Sequence, residues 1–295
     1  MGGDAIGHPV ETANAWMAAL ERADLALLAI GAVLIVAAII HGPFLRRRGL
    51  LDDLALAPNR MQLDAMLLPV CVWAIAATVM NGVGFGVDAG AATSPAIKLM
   101  VGHVPAIAAA AACMWVAART FDGGAVRFLI GRSSPAVDAG RGVGYFLAAM
   151  SICPVVYYAV LYVVLAILPD YPLLDHGVIE MLRTGDTPMW AIWLGTALIA
   201  PVCEEMFFRG IVQTTLANVF RSRWLAVTLA GAIFGAIHAG GGQSPTPHVV
   251  PALTVLGMLL GVLYLRSGSL IGPIVVHVMF NAKTLLWEWL LHRGS

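Results

Sequence analysis

Six polar residues of this 295-residue chain stand where their neighbours are almost all apolar. Glu204, Glu205 and Arg209 lie in PVCEEMFFRG, directly after an apolar run. His238 ends AGAIFGAIH, and His277 and Asn281 lie in VVHVMFN. A carboxylate shielded from water is a better proton acceptor and can serve as a general base. One carboxylate and two imidazoles are also a set that could ligate zinc and leave a position for water. Glu205 and Arg209 are i and i+4, the helical spacing of an ion pair that cancels both charges in a low-dielectric place. Glu204 is about 100° around the helix from Glu205. It has no such partner on its own helix and is the candidate base.

For these groups to act together, separate helices must bring them to one depth. Met189 to Phe220 reads as one helix of about 48 Å, and Arg221-Ser222-Arg223 turns the chain back. Glu204 lies 17 residues before Arg221 and His238 lies 15 residues after Arg223. Along antiparallel helices those separations are about 25 and 23 Å. His277 and Asn281 share one face of the last helix, shortly beyond the turn Arg266-Ser267-Gly268-Ser269. One carboxylate, two imidazoles and one amide are therefore expected to converge inside a bilayer, nearer its cytoplasmic half. Singly, each group has a plain structural reading: a packing ion pair, a histidine bonded to the next helix, or polar glue between helices. What argues for a site is their joint occurrence on three helices at matching depth.

Composition makes the bilayer the required solvent. The chain is 60% hydrophobic with a mean hydropathy of +0.85, and only 12% of it is charged, about half the usual share. This excludes a soluble globular domain, a disordered chain and a basic nucleic-acid binder. Lys+Arg and Asp+Glu are both 17, so net charge is zero and steers no partner. The fold expected is all-α: a polytopic membrane protein with about eight transmembrane helices, near 25–43, 66–87, 97–117, 143–168, 188–206, 223–240, 249–265 and 270–291. Between them stand Pro58-Asn59, Gly123-Gly124, Pro169-Asp170, Gly240-Gly241-Gly242 and Ser267-Gly268 as breakers. The organisation reads as a four-span region, 1–187, followed by 188–295, the part that carries the polar cluster.

Charge gives the orientation. With the N-terminus outside, the inside segments and their edges hold Arg46, Arg47, Arg48, Arg60, Arg119, Arg127, Arg132, Arg141, Arg209, Arg221, Arg223 and Arg266. That cytoplasmic excess is the one expected of inner-side loops. The acidic stretch Pro169–Thr187 then falls outside, as do both termini. No cleavable signal peptide is expected, because residues 1–24 are mixed and slightly acidic. Cys71, Cys113, Cys153 and Cys203 each lie in an apolar run and read as small buried hydrophobes. Tyr157, Tyr158 and Tyr162 read as packing residues, and His248 as an interfacial one. Gly240-Gly241-Gly242-Gln243-Ser244-Pro245 reads as a flexible loop.

At the polar cluster the sequence resembles the CAAX protease and bacteriocin-processing family, also called the CPBP or Abi family of intramembrane endopeptidases. Glu204-Glu205-x-x-x-Arg209 is similar to its first motif, Phe234-x-x-x-His238 to its second and His277-x-x-x-Asn281 to its third, in the same order. The resemblance covers roughly Pro188 to Leu291. It implies peptide-bond hydrolysis within the membrane. Glu204 would activate the attacking water with the help of His238, and His277 and Asn281 would stabilise the oxyanion. Glu205 and Arg209 would brace the helix. It implies no required cofactor, with zinc on Glu204, His238 and His277 as the alternative, although H-E-x-x-H is absent. The partners implied are the lipid bilayer and a protein or peptide substrate, prenylated or not, and no nucleic acid. Ala-, Gly- and Arg-rich composition points to a bacterial inner membrane. Two other classes compete. One is a non-catalytic binding or immunity protein using the same cluster. The other is a proton-coupled transporter, against which stands the lack of an inverted repeat or paired broken helices.

Overall fold

In hydrocarbon every backbone N–H must find its partner within the protein, and continuous apolar runs of this length do so as helices. The computed structural model describes residues 9–41, 59–88, 94–171, 177–239 and 247–293. We number the helices α1 (Pro9–His41), α2 (Leu67–Asp88), α3 (Pro95–Gly102), α4 (Val104–Thr120), α5 (Gly124–Ile130), α6 (Pro135–Ile167), α7 (Gly177–Thr184), α8 (Met189–Phe220), α9 (Arg223–Ile237), α10 (Val250–Ser267) and α11 (Ile271–Arg293). Among the described residues the only extended pairing is one antiparallel bridge, Asn59 with Phe121.

The chain is an integral multi-pass membrane protein. Six helical stretches among the described residues are long and apolar enough to cross a membrane: Leu63–Gly82, Pro95–Thr120, Gly124–Ile167, Met189–Phe220, Val250–Ser267 and Ile271–Leu291. The other two expected spans correspond to the long α1 and to α9. Only 15 residues long, α9 spans about 22 Å, short of the roughly 30 Å hydrocarbon core. It stops because His238 takes the C-cap position, with φ −83° and ψ −4°. Arg46–Arg48, Pro58 and 240–245 lie outside the described residues.

Three features differ from the sequence expectation. The acidic stretch before α8 is not loop throughout: Val178, Met181 and Leu182 of α7 pack on Ile192 and Leu285. Its apolar residues recur at helical spacing, and Arg183 reaches Glu288 of α11 at 3.7 Å. Cys113, Cys153 and Cys203 are buried as expected, but Cys71 is exposed, on a helix whose outward side is the lipid side. His248 is buried rather than interfacial. Its Nε2 lies 3.3 Å from the Tyr157 hydroxyl, and the rings of Tyr157 and Tyr171 flank it at 5.3 and 5.7 Å. Tyr158 and Tyr162, in contrast, are exposed.

Two packing arrangements position the polar cluster. α8 runs through the middle of the main core, where its Cys203, Met206 and Ile211 pack with Cys113, Val116 and Ala117 of α4, Phe128 of α5 and Tyr264 of α10. At the Arg221 end, the chain reverses through a left-handed residue, Arg221 at φ +50°, and the Ser222 hydroxyl accepts from the Leu225 N–H. The hairpin α9–α10 closes through small residues. A Cβ on Gly257 would lie 2.8 Å from the Gly231 Cα, so only glycine lets these backbones touch.

Candidate active site

Helix α8 is continuous, yet two of its turns are π-helical. Trp193–Ile199 and Met206–Gln213 flank the α-helical turn Ala200–Glu205. A π turn widens the helix and redirects the groups beside it, and such turns are frequent at functional sites. Glu204 and Glu205 therefore sit on a regular turn held between two irregular ones.

Four side chains form a row across α8 and α11. Arg209 Nε lies 3.1 Å from Glu205 Oε2, and both side chains are wholly buried. The second carboxylate oxygen, Glu205 Oε1, is 2.8 Å from His277 Nδ1. The far nitrogen of that ring, Nε2, is 3.9 Å from Glu204 Oε2. Glu204 is the open member of the row, with a side chain 27% exposed, against 5% for His277 and 0% for Glu205. Its Oε2 has no hydrogen-bond partner among the described residues. The Arg209 guanidinium donates to the Gly257 carbonyl at 3.3 Å and lies 4.7 Å over the Phe234 ring. A buried ion pair needs further polar contacts to offset its desolvation; here α10 supplies one hydrogen bond, at the Gly257 carbonyl, and α9 supplies the face of the Phe234 ring.

His238 is placed by its own helix. Its Nδ1 lies 2.7 Å from the Phe234 carbonyl. An N–H donated there leaves Nε2 as the ring's outward lone pair. Phe234 stands beside both imidazoles, with ring centroids 4.8 Å from His238 and 5.6 Å from His277. Asn281 donates from Nδ2 to the Thr196 carbonyl at 2.9 Å, in the first π turn of α8. The structure thus draws Glu204, Glu205, Arg209 and His277 into one contact network. It sets His238 on the shared phenylalanine and ties Asn281 to the same helix one π turn away. The alternative zinc set, Glu204, His238 and His277, is not gathered into a three-ligand group: among the described residues no three His, Cys, Asp or Glu side chains are arranged to hold a metal ion.

Sequence reasoning missed four participants. Phe234 was legible only as a motif position, whereas its ring is the spacer between the histidines. Gln213 continues the series Glu205, Arg209, Gln213 at i, i+4, i+8, and it donates to the Gly261 carbonyl at 2.9 Å. That repeat was available as a signal. The carbonyls of Gly257 and Thr196 carry no side-chain signature, and spacing could not have found them.

Comparisons with known proteins find similarity over the stretch that carries this site. An uncharacterized 24.3 kDa protein of Escherichia coli is 33% identical over 95 residues, which is 30% of this chain and 41% of that protein. The chain therefore spans under half the length of that relative. No solved structure matches. Residues 186–283, the stretch that holds all six cluster residues, match the type II CAAX prenyl endopeptidase Rce1-like family.

Proposed function

We propose that this protein is an intramembrane endopeptidase that hydrolyses a peptide bond with a water activated by Glu204. The observation that carries the reading is the asymmetry of the two glutamates: Glu205 is wholly buried between Arg209 Nε at 3.1 Å and His277 Nδ1 at 2.8 Å, while the Glu204 side chain is 27% exposed and its Oε2 meets His277 Nε2 only at 3.9 Å. In the reaction, Glu204 takes a proton from water as the water oxygen attacks the substrate carbonyl carbon. His238, with Nδ1 on its backbone, accepts a hydrogen bond from the same water at Nε2. The tetrahedral oxyanion takes donors from His277 Nε2–H and from the second N–H of Asn281. When the C–N bond breaks, Glu204 passes its proton to the leaving amine.

The ring geometry supports this division of labour: with Nδ1 on Glu205, Nε2 is the His277 nitrogen left to face Glu204 and the reacting carbonyl. No step calls for a metal, and the reading is metal-free. Residues 188–295 would form the catalytic core, 1–187 would complete the membrane body, and both termini would lie outside the cytoplasm of a bacterial inner membrane. Substrates would be CAAX-like prenylated proteins or small peptides.

The test is cleavage of prenylated and unprenylated peptides by purified protein in detergent, read by mass spectrometry with and without a chelator. Glu204→Gln should lose activity by about 10²- to 10⁴-fold, the range of a general base, with folding retained and the wild type indifferent to chelator. Loss with chelator would move the site to zinc. Peptide binding by a folded wild type that never cleaves, unchanged in Glu204→Gln, would favour the binding or immunity role.

A further inference from the structure

The first π turn of α8 has a neighbour that the sequence did not bring to notice. His103 occupies the break between α3 and α4, just before Pro105. Its Nδ1 lies 2.7 Å from the Leu99 carbonyl, which fixes the plane of the ring. That ring presses on Gly195: a Cβ there would stand 2.8 Å from His103 Cε1 and 3.3 Å from its Nδ1. Gly195 lies inside the π turn, and the next residue is Thr196, whose carbonyl holds Asn281.

The contacts form a chain from one side of the bundle to the other. The Leu99 carbonyl holds the His103 ring, the ring bears on the Gly195 backbone, the Thr196 carbonyl follows, and the Asn281 amide ends the chain. A π turn carries an extra residue in its hydrogen-bonded ring and is a local excursion from the favoured helix. It persists where its surroundings determine it. Asn281 draws on it from one direction, and the His103 ring rests on it at the residue before. The glycine is required because the ring comes within van der Waals distance of the backbone itself.

We propose that His103 is a positioning residue for Asn281, seating the Gly195 π turn so that the Thr196 carbonyl orients the Asn281 amide toward the reacting carbonyl. This rests on the endopeptidase reading of the site. His103 touches no reacting atom and acts through the helix.

Four proteins test it: wild type, Gly195→Ala, His103→Ala and the double variant. Gly195→Ala introduces a methyl group against the ring. It should lower kcat by about 10²-fold, the cost of misplacing a catalytic group by roughly 1 Å, with KM within about twofold. His103→Ala alone removes the seat, and its kcat should fall while KM holds, by less than in Gly195→Ala because nothing then pushes on the turn. It also leaves room for the methyl, so the double variant should recover kcat to the level of His103→Ala. The second readout is structural: in nanodiscs, cryo-EM of Gly195→Ala should show the Asn281 Nδ2 to Thr196 O contact broken, His103→Ala should show it lengthened, and the double variant should match His103→Ala. The proposal is overturned if Gly195→Ala keeps both kcat and that contact, or if the double variant is no better than Gly195→Ala. Should Gly195→Ala fail to fold, His103→Ala decides by its kcat and by the same contact. If the wild type cleaves nothing, the endopeptidase reading fails, and the Asn281–Thr196 contact across the series still decides whether His103 sets it.

Discussion

At the scale of single residues, the row Arg209–Glu205–His277–Glu204 divides structure from chemistry. Removing one partner of a buried ion pair strands the other, at a cost of about 3–5 kcal/mol. Glu205→Gln should therefore destabilise the protein by that order, seen as a lower midpoint in detergent unfolding. It should also release His277 Nδ1. Glu205→Gln/Arg209→Met removes both charges and should recover much of the stability while activity stays lost, because His277 remains unheld. Recovery of activity with stability would show that Glu205 serves Arg209 alone. The identity of these residues was legible from spacing: i,i+4 on one helix, and matched distances from shared turns. Their roles were less so. That His277 bonds to Glu205 through one nitrogen and faces Glu204 with the other depends on how α11 crosses α8, which no local spacing encodes.

At the scale of elements, α8 was legible as one helix from Met189 to Phe220, but its two π turns were not. Hydrophobic periodicity averages over several turns and does not register one extra residue. The α9–α10 hairpin shows the same limit. Its glycines were visible, yet their facing positions arise from the register of two helices. Gly231→Leu places a side chain where the Met258 backbone nitrogen and Thr254 carbonyl lie about 3.0 Å from the first carbon, and overpacking of this kind costs about 1–3 kcal/mol. It should lower thermal stability and activity together, since α9 carries His238 and Phe234. His248, at the start of α10, gives a pH-dependent effect. Burial holds its imidazole below the ordinary histidine range, so the unfolded chain binds a proton more readily than the folded one. Stability is then complete above about pH 6.5, the unperturbed histidine value, and falls as pH drops below it. His248→Phe should flatten that loss in thermal melts run across pH 5 to 7.

For the whole molecule, the composition and the long apolar runs led to an all-helical membrane protein, because a continuous apolar run of about 20 residues satisfies its backbone groups in lipid as a helix. The count of spans was less secure: α9 is too short to qualify by length, ending at Ile237 with His238 as its cap. The arginine distribution predicts that Ser133, between α5 and α6, faces the cytoplasm. A cysteine there, in a chain cleared of native cysteines, should react with a membrane-impermeant maleimide in inverted vesicles and not in intact cells. The reverse labelling would invert the topology and place the site nearer the outer leaflet. The row of charges also bears on how the protein is made. Glu205 and Arg209 enter the membrane on α8, whereas His277 follows 72 residues later, an interval of roughly 4–14 s at ordinary elongation rates. Throughout that time the carboxylate has only half its partners, and α10, which supplies the Gly257 carbonyl, arrives part-way through. The nascent bundle thus carries a half-paired carboxylate in the membrane until α11 arrives, and the arrival of α11 closes the row.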